Sequence, residues 1–176
     1  VASLDPGRHY QRITPEGAPG RSLYYQPLVQ GGRQFETVGT EINNRDGSVS
    51  WLEVVRDVTE QKEQESRVRT LSQVVEQSPV SVVIADTEGN IRYVNSTFEK
   101  ITGYSAAEVA DRHTRLLQSG NTPRRVYQEL WQTITSGRSW RGELQNRKKS
   151  GELFWERAHI APVQDAAGNI QYFLAV

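Results

Sequence analysis

One stretch constrains the fold of this chain more than any other: Trp140-Arg-Gly-Glu-Leu-Gln-Asn146-Arg-Lys-Lys-Ser-Gly151-Glu-Leu-Phe-Trp-Glu156. Two alternating runs flank a polar Lys-Ser-Gly turn, the pattern of an antiparallel hairpin. Side chains alternate faces along a strand with a period of two. Trp140, Gly142, Leu144 and Asn146 therefore share one face of the first strand. Phe154, Glu156, Ala158 and Ile160 share a face of the second, with Trp155, Arg157 and His159 opposite. The mostly apolar faces are expected to point inward, yet they carry Asn146 and Glu156. Polar groups set among core residues need partners, and a small bound molecule is one way to supply them.

The rest of the second half arranges itself around this hairpin. Val80 to Ala85 reads as a strand, Asp86-Thr-Glu-Gly-Asn90 as a turn and Ile91 to Val94 as the paired strand. Ser96-x-x-Glu99 and Ser105-x-x-Glu108 have the form of capping boxes, with Gly103 suited to stop the first helix. Thr122 followed by Pro123 marks a third helix start. That helix carries Val126, Leu130 and Ile134 on one stripe, Tyr127 and Trp131 beside it, and ends at Gly137. Pro162 to Val176 closes the domain. The expected class is α+β, a five-stranded antiparallel sheet with short helices on one face. Phe98, Ile101, Leu130, Leu144, Phe154 and Ile160 are its predicted core.

The first third repeats part of this pattern. Residues 1–31 are poorly patterned, with only Ser22 to Val29 strand-like and Gly31-Gly32 a turn. Phe35 to Ile42 and Val49 to Val55 flank the turn Asn43-Asn-Arg-Asp-Gly47. Asp46-Gly47-Ser-Val-Ser-Trp-Leu-Glu-Val-Val55 parallels Ala167-Gly168-Asn-Ile-Gln-Tyr-Phe-Leu-Ala-Val176, and an internal repeat changes the domain count. Residues 1–56 are thus expected to be the C-terminal part of a preceding domain, 57–77 a connecting helix and 78–176 the second domain. The connecting stretch lacks Gly and Pro until Pro79 stops it. Val68, Leu71 and Val75 fall at coiled-coil spacing, so both a dimerising helix and a solvated link are open.

Composition narrows the function. Lys+Arg and Asp+Glu both number 21, giving no net charge and no electrostatic footprint for nucleic acid. No apolar run approaches the roughly 20 residues that span a bilayer. With no cysteine there is no disulfide, thiolate metal site or cysteine photochemistry, and a cytoplasmic setting is expected. His9, His113 and His159 show no metal-binding spacing. No phosphate-binding glycine loop, nucleophile elbow or paired-carboxylate motif is present, so the chain is not read as an enzyme.

The stretches Asp86-Thr-Glu-Gly-Asn-Ile-Arg-Tyr-Val-Asn95, Phe98-Glu-Lys-Ile-Thr-Gly-Tyr104, Leu117-Gln-Ser-Gly120, Trp140-Arg-Gly-Glu143 and Asn146 to Trp155 resemble the PAS sensor family. Asp57-Val-Thr-Glu60 is similar to the motif that ends such domains and opens the outgoing helix. This marks Asp57 and Thr59 as a signalling junction and Val68, Leu71 and Val75 as dimerisation positions. Thr122 to Trp131 and Asn146 to Lys149 resemble the branch of flavin-binding redox sensors and LOV photoreceptors.

That resemblance implies FAD or FMN as the cofactor, with Asn146 at the polar edge of the ring and Trp131, Glu156, Thr114 and Arg115 around it. The LOV cysteine position falls at about Thr114, which excludes adduct photochemistry. A second pyrimidine-edge asparagine appears as Glu156. The alternatives are bland: Asn146 bonding backbone, Trp131 packing in the core, Glu156 pairing with Arg115 or another cation or sitting at the pocket mouth, and Thr114 and Arg115 on a solvated loop. The expected function is a sensory input domain that relays a ligand's state to an output domain of the same protein, as a homodimer. The output domain is expected to be a histidine kinase or a cyclic-dinucleotide enzyme. The competing reading is a cofactor-free dimerisation and relay module.

Overall fold

The computed structural model describes residues 11–13 and 23–176, which divide at Arg69/Thr70 into two compact units. In unit 1 four antiparallel strands follow one another in order: β1 (Gln11–Ile13), β2 (Leu23–Gln30), β3 (Arg33–Asn43) and β4 (Val49–Asp57). Sequence patterning missed β1, which is only three residues long, while Ser22 lies outside the described residues. Helix α1 (Thr59–Glu76) begins in unit 1 and ends in unit 2.

Unit 2 contains β5 (Val83–Asp86), β6 (Ile91–Val94), α2 (Ser96–Thr102), α3 (Ala106–Val109), a 3-10 turn (Thr114–Leu117), α4 (Arg124–Thr135), β7 (Trp140–Arg147), β8 (Leu153–Gln164) and β9 (Ile170–Ala175). The five strands form one antiparallel sheet in the order β6-β5-β9-β8-β7. The last strand thus pairs between β5 and β8, closing the unit around contacts far apart in sequence.

Four hairpin turns share one geometry. In each, the first residue's N–H bonds the carbonyl four residues on, and the glycine at the fourth position bonds back to the first. The segments are Asn44–Ser48, Asp86–Asn90, Lys148–Glu152 and Asp165–Asn169. Their glycines have φ of 82°, 86°, 91° and 85°. A left-handed residue after a tight turn matches the twist of the flanking strands, and glycine adopts it without a Cβ penalty.

The core has two clusters. Leu130 and Ile134 of α4 pack on Trp140, Leu144, Ala158 and Phe173 of the sheet. Ile91, Val94, Phe98, Val109 and Leu117 form the other. Gly142 is required beside Trp140, because a Cβ there would run into the indole ring. Of the predicted core residues, Phe98, Leu130 and Leu144 are buried. Phe154 and Ile160 are half-buried, and Ile101, which lines the cavity described below, is 39% exposed.

Two helix starts differ from the pattern. The box at Ser105 closes, with Ser105 N–H donating to Glu108 at 2.9 Å. The cap of α2, however, is Asn95 rather than Ser96. Asn95 is fully buried, and its side-chain oxygen accepts from Val82 N at 2.9 Å and Phe98 N at 3.1 Å. Its amide donates to the carbonyls of Val75 and Val80. Ser96 instead binds Glu76, and Glu99 accepts from Ala106 N at 2.6 Å. At α4 the cap position is Pro123, since the Thr122 hydroxyl is engaged with Gln145 of β7. Among the described residues no helix is long and apolar enough to cross a membrane.

Candidate functional site

Between the sheet and the helices of unit 2 lies a cavity of about 310 Å³, at the lower end of the range for small-molecule sites. Its walls are mostly apolar. The sheet contributes Ala85, Leu144, Ala158, Ile160 and Phe173, and the helical side contributes Phe98, Ile101, Leu130 and Ile134. Against this background a few polar groups stand out: Asn146, Glu156, Tyr127, His113 and Thr114.

Asn146 and Glu156 come together because the β7–β8 register sets Leu144 opposite Glu156 and Asn146 opposite Phe154. Diagonal neighbours on one face of an antiparallel pair remain within side-chain reach. Asn146 Nδ2 donates to Glu156 Oε1 at 2.7 Å. Asn146 is only 5% exposed. The segment that covers it is tied to β7: Ser119 Oγ donates to Gln145 O at 2.6 Å, and an Arg147 guanidinium N–H donates to Ser119 O at 2.8 Å. Gln118 forms a bridge with Asn146 itself. Burial pushes the Glu156 carboxyl above its ordinary range, and the hydrogen bond from Asn146 opposes that rise.

One alternative that the sequence leaves open for Glu156 is a cation such as Arg115. The structure pairs it with Asn146 instead, and Arg115 is exposed. In a 3-10 turn residues three apart eclipse one another. Thr114 and Leu117 therefore both reach the cavity, and Arg115 does not. Phe154 is also absent from the cavity wall, although Leu144, Asn146, Glu156 and Trp131 all line it. Trp131 both packs and lines: its ring meets Phe173 edge-on at 5.8 Å between centroids.

Two wall residues escaped the functional reading of the sequence. In the sequence Tyr127 stands only as a neighbour of the α4 stripe. Its hydroxyl is the one buried side-chain polar atom among the described residues with no hydrogen-bond partner. Such a group in a cavity wall invites a ligand atom. His113 has no metal-binding spacing in the sequence to single it out. Its Nδ1 accepts from Arg115 N at 3.0 Å, and its ring lies against Trp131 at 6.2 Å. Burial, with a smaller contribution from Arg115, holds its pKa below the usual histidine value. The loop that carries it follows β6, with Thr114 N donating to Gly89 O and Ile91 N to Arg112 O.

The junction residues lie where β4 meets α1. Asp57 Oδ1 accepts from the Thr59 hydroxyl at 2.6 Å and from Thr59 N at 3.0 Å, and Thr59 Oγ1 accepts from Gln34 N at 2.8 Å. These bonds hold the Asp57 carboxyl below the usual aspartate range. Farther along α1, Val68, Leu71 and Val75 are exposed at 65%, 59% and 36%.

The five-stranded order, the helical layer and the cavity between them agree with a comparison of families: the model of the PAS fold matches residues 69–176. The chain belongs to the PAS family. The chain is 40% identical over 103 residues to a nitrogen fixation regulatory protein of Klebsiella oxytoca, covering 58% of this chain and 21% of that protein. It is 34% identical over 113 residues to a bacterioopsin transcriptional activator of Halobacterium salinarum, covering 62% and 17%. A blue-light-activated histidine kinase of Brucella canis is 39% identical over 85 residues, covering 48% and 17%.

The chain thus spans about a fifth of the length of these relatives. Among solved structures, a PAS domain from Colwellia psychrerythraea superposes with a TM-score of 0.57 at 18% identity, covering 62% of this chain and 92% of that one. An RNA-binding light-oxygen-voltage receptor gives 0.56 at 15% identity, covering 88% and 76%. With regulators and a sensor kinase as its relatives, the PAS domain is a sensory, signal-transduction module.

Proposed function

We propose that the PAS domain senses through a flavin, FMN or FAD, held in the cavity of unit 2. The observation that carries this reading is the composition of the wall: apolar surfaces broken by the Asn146–Glu156 pair on one side and the unpartnered Tyr127 hydroxyl on another. A flat apolar ring with one polar edge has the matching character. A blue-light-activated kinase among the relatives and a light-oxygen-voltage receptor among the similar folds support the same direction. The flavin would supply the light- or redox-responsive group. Asn146 would bond its pyrimidine edge, while Leu144, Trp131 and Ile160 would exclude water from the ring.

Purified chain reconstituted with FMN or FAD should retain a yellow chromophore. Asn146→Leu, checked for native circular dichroism, should weaken binding by about tenfold to a hundredfold, the loss of a hydrogen bond of roughly 1–3 kcal/mol at a desolvated edge. Unchanged affinity would reject the pose. A chain that takes up no flavin at all would leave the cofactor-free relay.

The signal is read as leaving through α1-type helices toward an output domain of the same protein, with Val68, Leu71 and Val75 facing a second copy. Asp57 and Thr59 tie the start of α1 to the edge of β3, so a shift of that sheet would turn the helix. In the full-length protein, inserting residues after Glu60 should alter output with the helical phase of the insertion. Output indifferent to the length inserted would make α1 a passive tether.

A further inference from the structure

Glu156 is the one carboxylate in the cavity wall, and its position is chemically unusual. It accepts a single hydrogen bond, from Asn146 to Oε1, and no ion pair among the described residues includes it. The other titratable side chains lining the cavity are His113, before the 3-10 turn, Tyr127 of α4 and Arg157 of β8. Arg157 is bonded to Glu143, its side chain 84% exposed. His113 has its Nδ1 engaged by Arg115 N and is disfavoured as a cation by burial. Among the described residues no cation pairs with Glu156.

The donor and acceptor pattern then becomes decisive. The pyrimidine edge of a flavin is an imide, a carbonyl, an N–H and a carbonyl in line. A protein edge that fits it must offer a donor, an acceptor and a donor. Asn146 has Oδ1 free to accept the imide N–H and a second amide hydrogen free to donate. An ionised Glu156 can only accept, so its free oxygen would face a ligand carbonyl, acceptor against acceptor, inside an apolar wall. A protonated Glu156 resolves the conflict: Oε1 still accepts from Asn146, and Oε2–H donates to the carbonyl.

We propose that Glu156 holds the imide edge of the ligand as a neutral carboxylic acid, so that binding in this cavity takes up one proton; the inference rests on the flavin reading given above. The balance is simple: ionised Glu156, one proton from solvent and the ligand give the complex with neutral Glu156, and no electron moves. Burial, which already pushes this carboxyl upward, lowers the cost of that protonation. Binding is therefore full below the pKa of the free protein's Glu156. Above it, affinity falls by about tenfold per pH unit until the pKa of the complex is reached.

The test is a titration of the chain with FMN, followed by flavin fluorescence, from about pH 5 to about pH 8, in the wild type and in Glu156→Gln. Glutamine keeps an acceptor for Asn146 and offers its N–H to the carbonyl at every pH. The wild type should lose affinity as pH rises, whereas Glu156→Gln should bind with a flat profile and at least as tightly at the alkaline end. The infrared spectrum of the wild-type complex should show a protonated carboxyl band that Glu156→Gln lacks. A flat wild-type profile overturns the inference while leaving flavin binding in place. So does a Glu156→Gln profile that keeps the wild-type slope, which would assign the titration to His113. If neither chain binds FMN at any pH, the flavin reading fails and this inference with it.

Discussion

The β3–β4 hairpin of unit 1 and the β8–β9 hairpin of unit 2 are built from the same local pattern and end in different environments. Their turns match bond for bond: Gly47 N to Asn44 O at 3.1 Å, and Gly168 N to Asp165 O at 3.0 Å. On the strands that follow, the likeness stops. Val49, Leu52, Val54 and Val55 of β4 are 50–60% exposed, whereas Phe173 of β9 is 5% exposed beneath α4. A hairpin is set by its turn and by strand propensity. A core needs a second layer that covers one face of the sheet. Unit 2 supplies that layer with Leu130 and Ile134, and β4 has no such cover among the described residues.

The largest effect that would break this contrast is in the core. Leu130→Ala should destabilise unit 2 by about 2–5 kcal/mol through lost burial and a cavity. Val54→Ala, the same kind of truncation on β4, should cost less than about 1 kcal/mol. Hydrogen exchange resolved by residue, alongside urea unfolding, measures both. Equal effects would mean that β4 is covered in solution, and the contrast would fall.

A smaller effect comes from the turns themselves. Gly47→Ala places a Cβ in open space at φ 82°, so only the left-handed strain of about 1–2 kcal/mol is expected. Gly89→Ala, at φ 86° in the sister turn, adds a collision with Trp131 at 2.9 Å and His113 at 3.0 Å. Its loss of stability should exceed that of Gly47→Ala, and it should also weaken ligand uptake, since both rings line the cavity. Identical losses in thermal unfolding would show that the rings move aside freely.

Much of this architecture was legible because it is local. Turn glycines, alternation on β7 and β8, and the box at Ser105 depend on residues within a few positions of one another, so their chemistry is visible in order. Alternation also placed Asn146 and Glu156 on inward faces. The misreadings share a cause. Ser96 and Thr122 look like caps in isolation, but distant groups, Glu76 and Gln145, claim their hydroxyls, while Asn95 caps α2 through bonds that also reach Val75, Val80 and Val82.

The sequence by itself thus determined the strands other than β1, most helices and inward residues such as Phe98, Leu130, Leu144 and Asn146, since periodicity and turn chemistry act over short distances. Only the tertiary structure decided which of those residues meet. The β7–β8 register paired Asn146 with Glu156, and the turn of the 3-10 segment sent Thr114 inward and Arg115 outward. The packing of α4 left the Tyr127 hydroxyl without a partner. Each outcome depends on register and packing between segments far apart in the chain, and residue order alone carries no record of those distances.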